Sequence, residues 1–368
     1  MHILLAPDKF KGTLTAKEVT SYLKEGILKH SPEHEVTELP LADGGEGSME
    51  AIKAALGGEN VQMFVKNPLF KTDTASYLRV GDTAYVEMAA ASGLQLIKPS
   101  QRNPEFTTTY GTGQLLKHAW KNGCKEIFLF VGGSATNDGG IGIASAFGYS
   151  FKDSEGNELP TIGMSLNAIA SITPPEAKPD FKLHVACDVN NPLYGPDGAA
   201  HVFAAQKGAD AAMLERLDAG LVNLSDRIKQ DLGIDVSTLA GGGAAGGVGA
   251  GAVAFLGADI RMGAASILEI TDFDSLLAKA DVVITGEGKL DEQTLHNKLA
   301  MVVCERAKAS DKKVIAVAGK VDLADAVLSK AGFDQVFDLT AIYGSEIALT
   351  ETRMCVEQTG LLIAKSLQ

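Results

Sequence analysis

Tryptophan occurs once in this 368-residue chain, at Trp120, and aromatic residues make up 6% of it. That scarcity disfavours an aromatic-lined, carbohydrate-stacking surface. Proline is also scarce, at 12 residues, while glycine reaches 40. Together they argue against disorder and for many tight backbone turns. The four cysteines, Cys124, Cys187, Cys304 and Cys355, lie far apart and form no CxxC pair. This spacing disfavours a zinc or thioredoxin-like site and suits buried thiols in a reducing cytosol. Basic residues are outnumbered by acidic ones, 33 to 46, for a formal charge of -13. A field of that sign repels nucleic acid and anionic lipid, so neither nucleic acid nor a membrane is expected as a partner.

Long apolar runs are missing as well. The longest uncharged stretch, 236–258, holds eight glycines, whereas a spanning helix needs about 20 predominantly apolar residues. The first ten residues, MHILLAPDKF, carry no basic segment followed by an apolar core. No signal peptide is read there, and a cytoplasmic location is expected. GxxxxGKS/T, HRD with DFG, HExxH and GxSxG are all absent, which disfavours P-loop, protein-kinase, zincin and serine-hydrolase chemistry. The seven histidines are read as surface or core residues, so a metal would be oxygen-ligated Mg²⁺.

Short apolar runs bounded by turn signals are present, and they read as buried strands: 2–6 (HILLA), 127–131 (IFLFV), 183–186 (LHVA), 282–285 (VVIT), 314–318 (VIAVA) and 335–339 (QVFDL). Residues 61–65 and 83–88 alternate like half-exposed strands. Helices fall between them. Thr15 and Glu18 form a capping box ahead of Val19, Tyr22, Leu23 and Ile27 at helical spacing. Further helices are expected over 48–56, over 114–122 before Gly123, and over 322–330 before Gly332. The alternation predicts an α/β protein with two α/β domains. The first is a Rossmann-like parallel sheet formed by both chain ends (1–75 and 272–368), and the second (76–271) is inserted.

The carboxyl ends of these strands are rich in glycine, carboxylate and lysine, where open parallel sheets bind ligands. After the first strand come Asp8, Lys9, Lys11 and Gly12. After the second comes 132–140, GGSATNDGG, whose glycines let backbone amides curve around an anion. Asp188, beside Asn190 and Asn191, follows LHVA, and 286–291, GEGKLD, follows VVIT. The 241–251 segment contains a GxGxxA match without a preceding strand, so it fails as a dinucleotide fingerprint and reads equally as a close-packed loop. Asp43 and Glu46 precede a helix, where acids also serve as stabilising caps.

The chain resembles the bacterial glycerate kinase family, which is unrelated to P-loop and protein kinases. The matching segments are 6–16 (APDKFKGTLTA), 41–52 (LADGGEGSMEAI), 87–94 (EMAAASGL), 102–113 (RNPEFTTTYGTG), 132–140, 186–200 (ACDVNNPLYGPDGAA), 206–209 (QKGA), 241–247 (GGGAAGG) and 285–298 (TGEGKLDEQTLHNK). It departs from the family pattern at Lys9, where serine is usual, and at Ala205, where proline is usual. At 297–300 the usual glycine and proline are both missing. The resemblance implies ATP-dependent phosphorylation of D-glycerate, with 2-phosphoglycerate as product and 3-phosphoglycerate as the alternative.

On that basis the nucleotide is expected at Gly132, Gly133, Ser134, Asn137, Asp138, Gly139, Gly286, Glu287, Gly288 and Lys289. Mg²⁺ is expected at Glu287 and Asp291. Asp188 or Asp43 takes the hydroxyl proton, and Lys11 offsets the developing charge. Asp8, Arg102 and Lys207 are expected to bind substrate, Arg102 as a bidentate carboxylate clamp. ATP and D-glycerate are the small-molecule partners, and a homodimer is compatible with the reading. A nicotinamide-dependent dehydrogenase of a small hydroxy acid shares the fold class and the glycine loops, and a non-catalytic sugar-acid sensor is the other rival.

Overall fold

The structure is a computed structural model that describes residues 1–295 and 298–368. It divides into two compact units, Met1–Gly57 with Gly263–Gln368, and Gly58–Met262. Both are α/β.

The first unit is built on a five-stranded, wholly parallel sheet. Its order across the sheet is Gln335–Asp338, Lys313–Val321, Val282–Leu290, His2–Leu5 and Glu35–Glu38. Ile3, Leu5, Val282, Ile284, Ile315 and Val317 are buried in one core. That core also takes the apolar face of the helix Ala16–His30, whose capping box between Thr15 and Glu18 is formed as expected. This helix packs on the C-terminal helix Thr352–Ser366. Two glycines allow the close crossing: a Cβ on Gly26 would stand 1.9 Å from the Glu357 carbonyl oxygen, and one on Gly360 2.4 Å from that of Leu23.

The second unit holds a six-stranded sheet in the order Asp259–Arg261, Lys182–Ala186, Glu126–Phe130, Thr83–Glu87, Thr72–Val80 and Glu59–Lys66. The first four are parallel, and the last two form antiparallel pairs. Residues 58–75 thus stand in the second unit, short of the boundary expected at 75, because Glu59–Lys66 pairs along its length with Thr72–Val80. At the other end the division falls at Met262 in place of 271.

Two expected loops are strand instead. Val282–Leu290 and Lys313–Val321 each run beyond the apolar core, with Glu287 opposite Ala318 and Lys289 opposite Lys320. Glycine permits this: a Cβ on Gly286 would stand 1.8 Å from the Val317 carbonyl oxygen, and one on Gly319 2.6 Å from that of Gly288. All four cysteines are free and buried. Among the described residues no helix is long and apolar enough to cross a membrane.

Candidate active site

In the first unit the chain passes from His2–Leu5 to Glu35–Glu38 on one side and resumes at Val282–Leu290 on the other. The strand order therefore reverses between His2–Leu5 and Val282–Leu290, and ligands bind at the carboxyl ends of such a switch point. Asp8 emerges there, its amide donating to the Gly286 carbonyl at 2.8 Å, with Glu287 carried on the adjacent strand. Asp8 is 7% exposed. Burial, then the fields of Asp43 and Glu287, push its carboxyl up to about 7 despite the opposing Lys9 charge and amide. Burial also raises Glu287, which accepts the Thr294 hydroxyl at 2.8 Å and lies 3.9 Å from Lys298 Nζ.

Ser48–Leu56 starts at Gly47 with no side-chain cap, and Asp43 accepts the Gly45 amide at 3.1 Å. A cavity of about 320 Å³ opens beside these groups, lined among others by Asp8, Lys9, Lys11, Lys17, Glu46 and Glu50. Lys9, where the family usually has serine, donates to the Glu46 carbonyl.

Gly286, Glu287, Gly288 and Lys289 form a strand rather than a phosphate-cradling loop. Lys289 is paired with Asp291 at 3.2 Å and Asp322 at 2.9 Å, so its charge is already answered by two carboxylates. Asp291, expected as a metal ligand, pairs with Lys289 and accepts the Gln293 amide at 3.0 Å. Among the described residues no three acidic, histidine or cysteine side chains are placed to hold an ion. Glu287 and its acidic neighbours do fit a cation that arrives with phosphate oxygens, because Mg²⁺ is usually held by one or two carboxylates, waters and phosphate. Of the departure at 297–300, Asn297 lies outside the described residues.

In the second unit the 132–140 loop follows Glu126–Phe130 and is largely buried. Asp138 is fully buried, and it accepts the Thr109 amide and hydroxyl, each at 2.8 Å, with the Gly140 amide at 3.1 Å and the Gly142 amide at 3.4 Å. Burial raises its carboxyl to about 6 against those four bonds. The Gly139 amide is given to the Gly246 carbonyl at 3.0 Å. The Asp138 carboxylate and the Gly139 amide, both expected at the nucleotide, hold the loop together in this structure. Gly132 and Gly133 are its accessible rim, with Ser134 8% exposed.

The 241–251 segment is the backing of this loop, as its close-packed reading has it. Ala245, Gly246 and Gly247 are all left-handed, and a Cβ on Gly246 would stand 2.1 Å from the Thr136 carbonyl oxygen. Lys207 is likewise no direct substrate clamp. It is 3% exposed and donates to Ser134 Oγ at 2.9 Å and the Thr136 carbonyl at 2.7 Å. Arg102 is half-buried, with an Nε that meets no partner. Asp188 is half-exposed just beyond Lys182–Ala186.

Sequence reasoning passes over Thr109, which orients Asp138, although RNPEFTTTYGTG contains it. Thr294 and Asp322 are also missed.

The whole described architecture has close relatives. The chain matches the Glycerate kinase family over residues 3–368. It belongs to the glycerate kinase family. A glycerate kinase of Bacillus cereus is 40% identical over 100% of this chain and 97% of its own. The glycerate 2-kinase of Escherichia coli K12 is 40% identical over 94% of this chain and 92% of its own. A crystal structure of a Salmonella typhimurium LT2 protein described as glycerate kinase 2 superposes with a TM-score of 0.88 at 42% identity, covering 100% of this chain and 98% of the other. The α/β class and the kinase reading stand, and the dehydrogenase and sensor alternatives fall.

Proposed function

We propose that this glycerate kinase transfers the γ-phosphoryl group of ATP to the 2-hydroxyl of D-glycerate, giving 2-phosphoglycerate and ADP. The observation that carries the reading is Asp8, a carboxyl raised to about 7 at the switch point of the first sheet and in the wall of a lysine-bearing cavity. Phosphoryl transfer asks a protein mainly for positioning and charge neutralisation. The hydroxyl still needs somewhere to leave its proton, and an acceptor titrating near the working pH serves best. The hydroxyl oxygen bonds to the γ-phosphorus, the bond from that phosphorus to the ADP oxygen breaks, and the proton passes to an Asp8 carboxylate oxygen.

Asp43, whose field raises Asp8, then acts through Asp8 and is not itself the acceptor. Lys11, exposed in the same cavity, offers a cation to the glycerate carboxylate. Glu287 would hold Mg²⁺ on this reading, and bound Mg²⁺ supplies neutralisation of the phosphate oxygens. The accessible rim at Gly132, Gly133 and Ser134 is assigned to the nucleotide phosphates, and Arg102, with its unpartnered Nε, serves anionic ligand on the same unit. The choice of the 2-hydroxyl is supported by the name of the Escherichia coli relative.

A coupled assay tests the reaction: ADP release should require D-glycerate and be slow with L-glycerate. Equal ADP release with and without D-glycerate would overturn it.

A further inference from the structure

Lys207 is a buried lysine that, among the described residues, hydrogen-bonds to no carboxylate. Its two hydrogen-bond partners, Ser134 Oγ and the Thr136 carbonyl, are neutral. Asp138 is the carboxylate whose field reaches it, but both Asp138 oxygens are already engaged by Thr109, Gly140 and Gly142. Burial holds Lys207 down at about 7, with Asp138 pulling weakly the other way.

The other charged groups nearby do not change this balance. Arg102 carries the same sign, and a Cβ on Gly208 would stand 2.4 Å from its carbonyl oxygen. His201, one helix earlier, faces Asp218 at 3.9 Å, and Glu105 is taken by Arg216 at 2.8 Å.

Neighbouring residues of the same loop carry polar groups that meet no partner among the described residues. The Asn137 side chain is fully buried, and neither its nitrogen nor its oxygen has a partner. The Thr136 hydroxyl and Arg102 Nε are also unpartnered. Buried donors left unmet are costly, by about 1–3 kcal/mol each, and usually answer to something. Arg102 Nε, the Asn137 amide nitrogen and the Thr136 hydroxyl are donors in want of an acceptor, and an oxygen-rich anion is the acceptor chemistry they share.

We propose that Lys207 is the positioning residue of the 132–134 rim, and that an anionic group seated there draws a proton from solvent onto it, so that binding and proton uptake are one event. This rests on the assignment of the rim to nucleotide phosphate. The neutral amine keeps Ser134 in place while the rim is empty, and the ammonium forms when the anion arrives to stabilise it. The coupling is reciprocal: ligand favours the proton, and the proton favours ligand.

The test is calorimetry of the full-length protein at pH 8 in two buffers of different ionisation enthalpy, titrating MgATP and D-glycerate separately. MgATP should bind with uptake on the order of 0.5–1 proton, falling towards none at pH 6, where the lysine is already charged. Lys207→Met should abolish the uptake and weaken MgATP on the order of tenfold, raising KM far more than it lowers kcat. Ser134→Ala should weaken MgATP but keep the uptake, since the lysine remains.

Uptake with D-glycerate and not MgATP would keep the role of Lys207 and overturn the nucleotide assignment. No uptake with either ligand in the wild-type protein would overturn the inference without any variant. So would uptake that survives in Lys207→Met.

Discussion

The first sheet reverses its strand order between His2–Leu5 and Val282–Leu290, whereas the second advances in one direction through its six strands. The reversal opens the first site by topology, so a chain segment need only leave one strand to arrive in a crevice. The second unit has no such opening and builds its site by packing instead. Its loop is held by Asp138 and Thr109 from one side and by a left-handed glycine run from the other. The electrostatics are opposite too. Burial, joined by the fields of Asp43 and Glu287, brings Asp8 up to about 7, while burial brings Lys207, whose hydrogen-bond partners are neutral, down to about 7 from the other direction.

The comparison breaks most sharply at Asp8. Asp8→Asn keeps the shape and the bond from the Lys9 amide, so kcat should fall roughly 10²–10⁴-fold if Asp8 accepts the proton. Asp188→Asn, measured alongside, should lose far less. A near-normal kcat in the first with a collapse in the second would return the proton to Asp188. The same Asp8→Asn protein should melt higher than wild type in EDTA, and more so at pH 8 than at pH 4. The sign follows from linkage: a carboxyl raised to about 7 by folding binds more protons than the unfolded chain between its ordinary value of 3.8 and 7, so its presence weakens the fold as pH rises through that window.

The second site should break by losing its scaffold rather than its charge. Asp138→Ala strands the Thr109 and Gly140 donors in a dry interior and should destabilise by about 3 kcal/mol or more, read as a lowered denaturant midpoint. Gly246→Ala places a Cβ about 2.1 Å from the Thr136 oxygen at a φ of 75°. It should destabilise by roughly 1–3 kcal/mol, and MgATP affinity should fall with it if the rim depends on that backing.

Lys207 reverses the sign of the pH dependence seen at Asp8. Lys207→Met should gain on wild type in melting temperature as pH falls from 10 to 7. A lysine lowered by folding binds fewer protons than the unfolded chain across that window, so the wild-type fold weakens as pH falls. The slope is opposite to that of Asp8.

Much of the first site was legible from residues close in sequence. The capping box at Thr15, the helix Ser48–Leu56 and the polar segment after His2–Leu5 all follow from local spacing. What escaped depends on distant partners. Nothing in GEGKLD shows that Gly286 and Gly288 remain strand, because that follows from the neighbouring Val317 and Gly319 pressing against them. QKGA does not reveal that Lys207 turns inward to Ser134, 73 positions away. Asp138 looks like a ligand-facing acid until the Thr109 amide and hydroxyl are seen on it. The α/β class, by contrast, rests on apolar runs alternating with amphipathic ones, which local pattern carries well.

The identity of the product tests the transfer to the 2-hydroxyl most directly. Phosphorus NMR of the protein incubated with MgATP and D-glycerate should show ADP and 2-phosphoglycerate rising together, with little formed from L-glycerate. A 3-phosphoglycerate resonance, or ADP that accumulates without any phosphorylated glycerate, would contradict it.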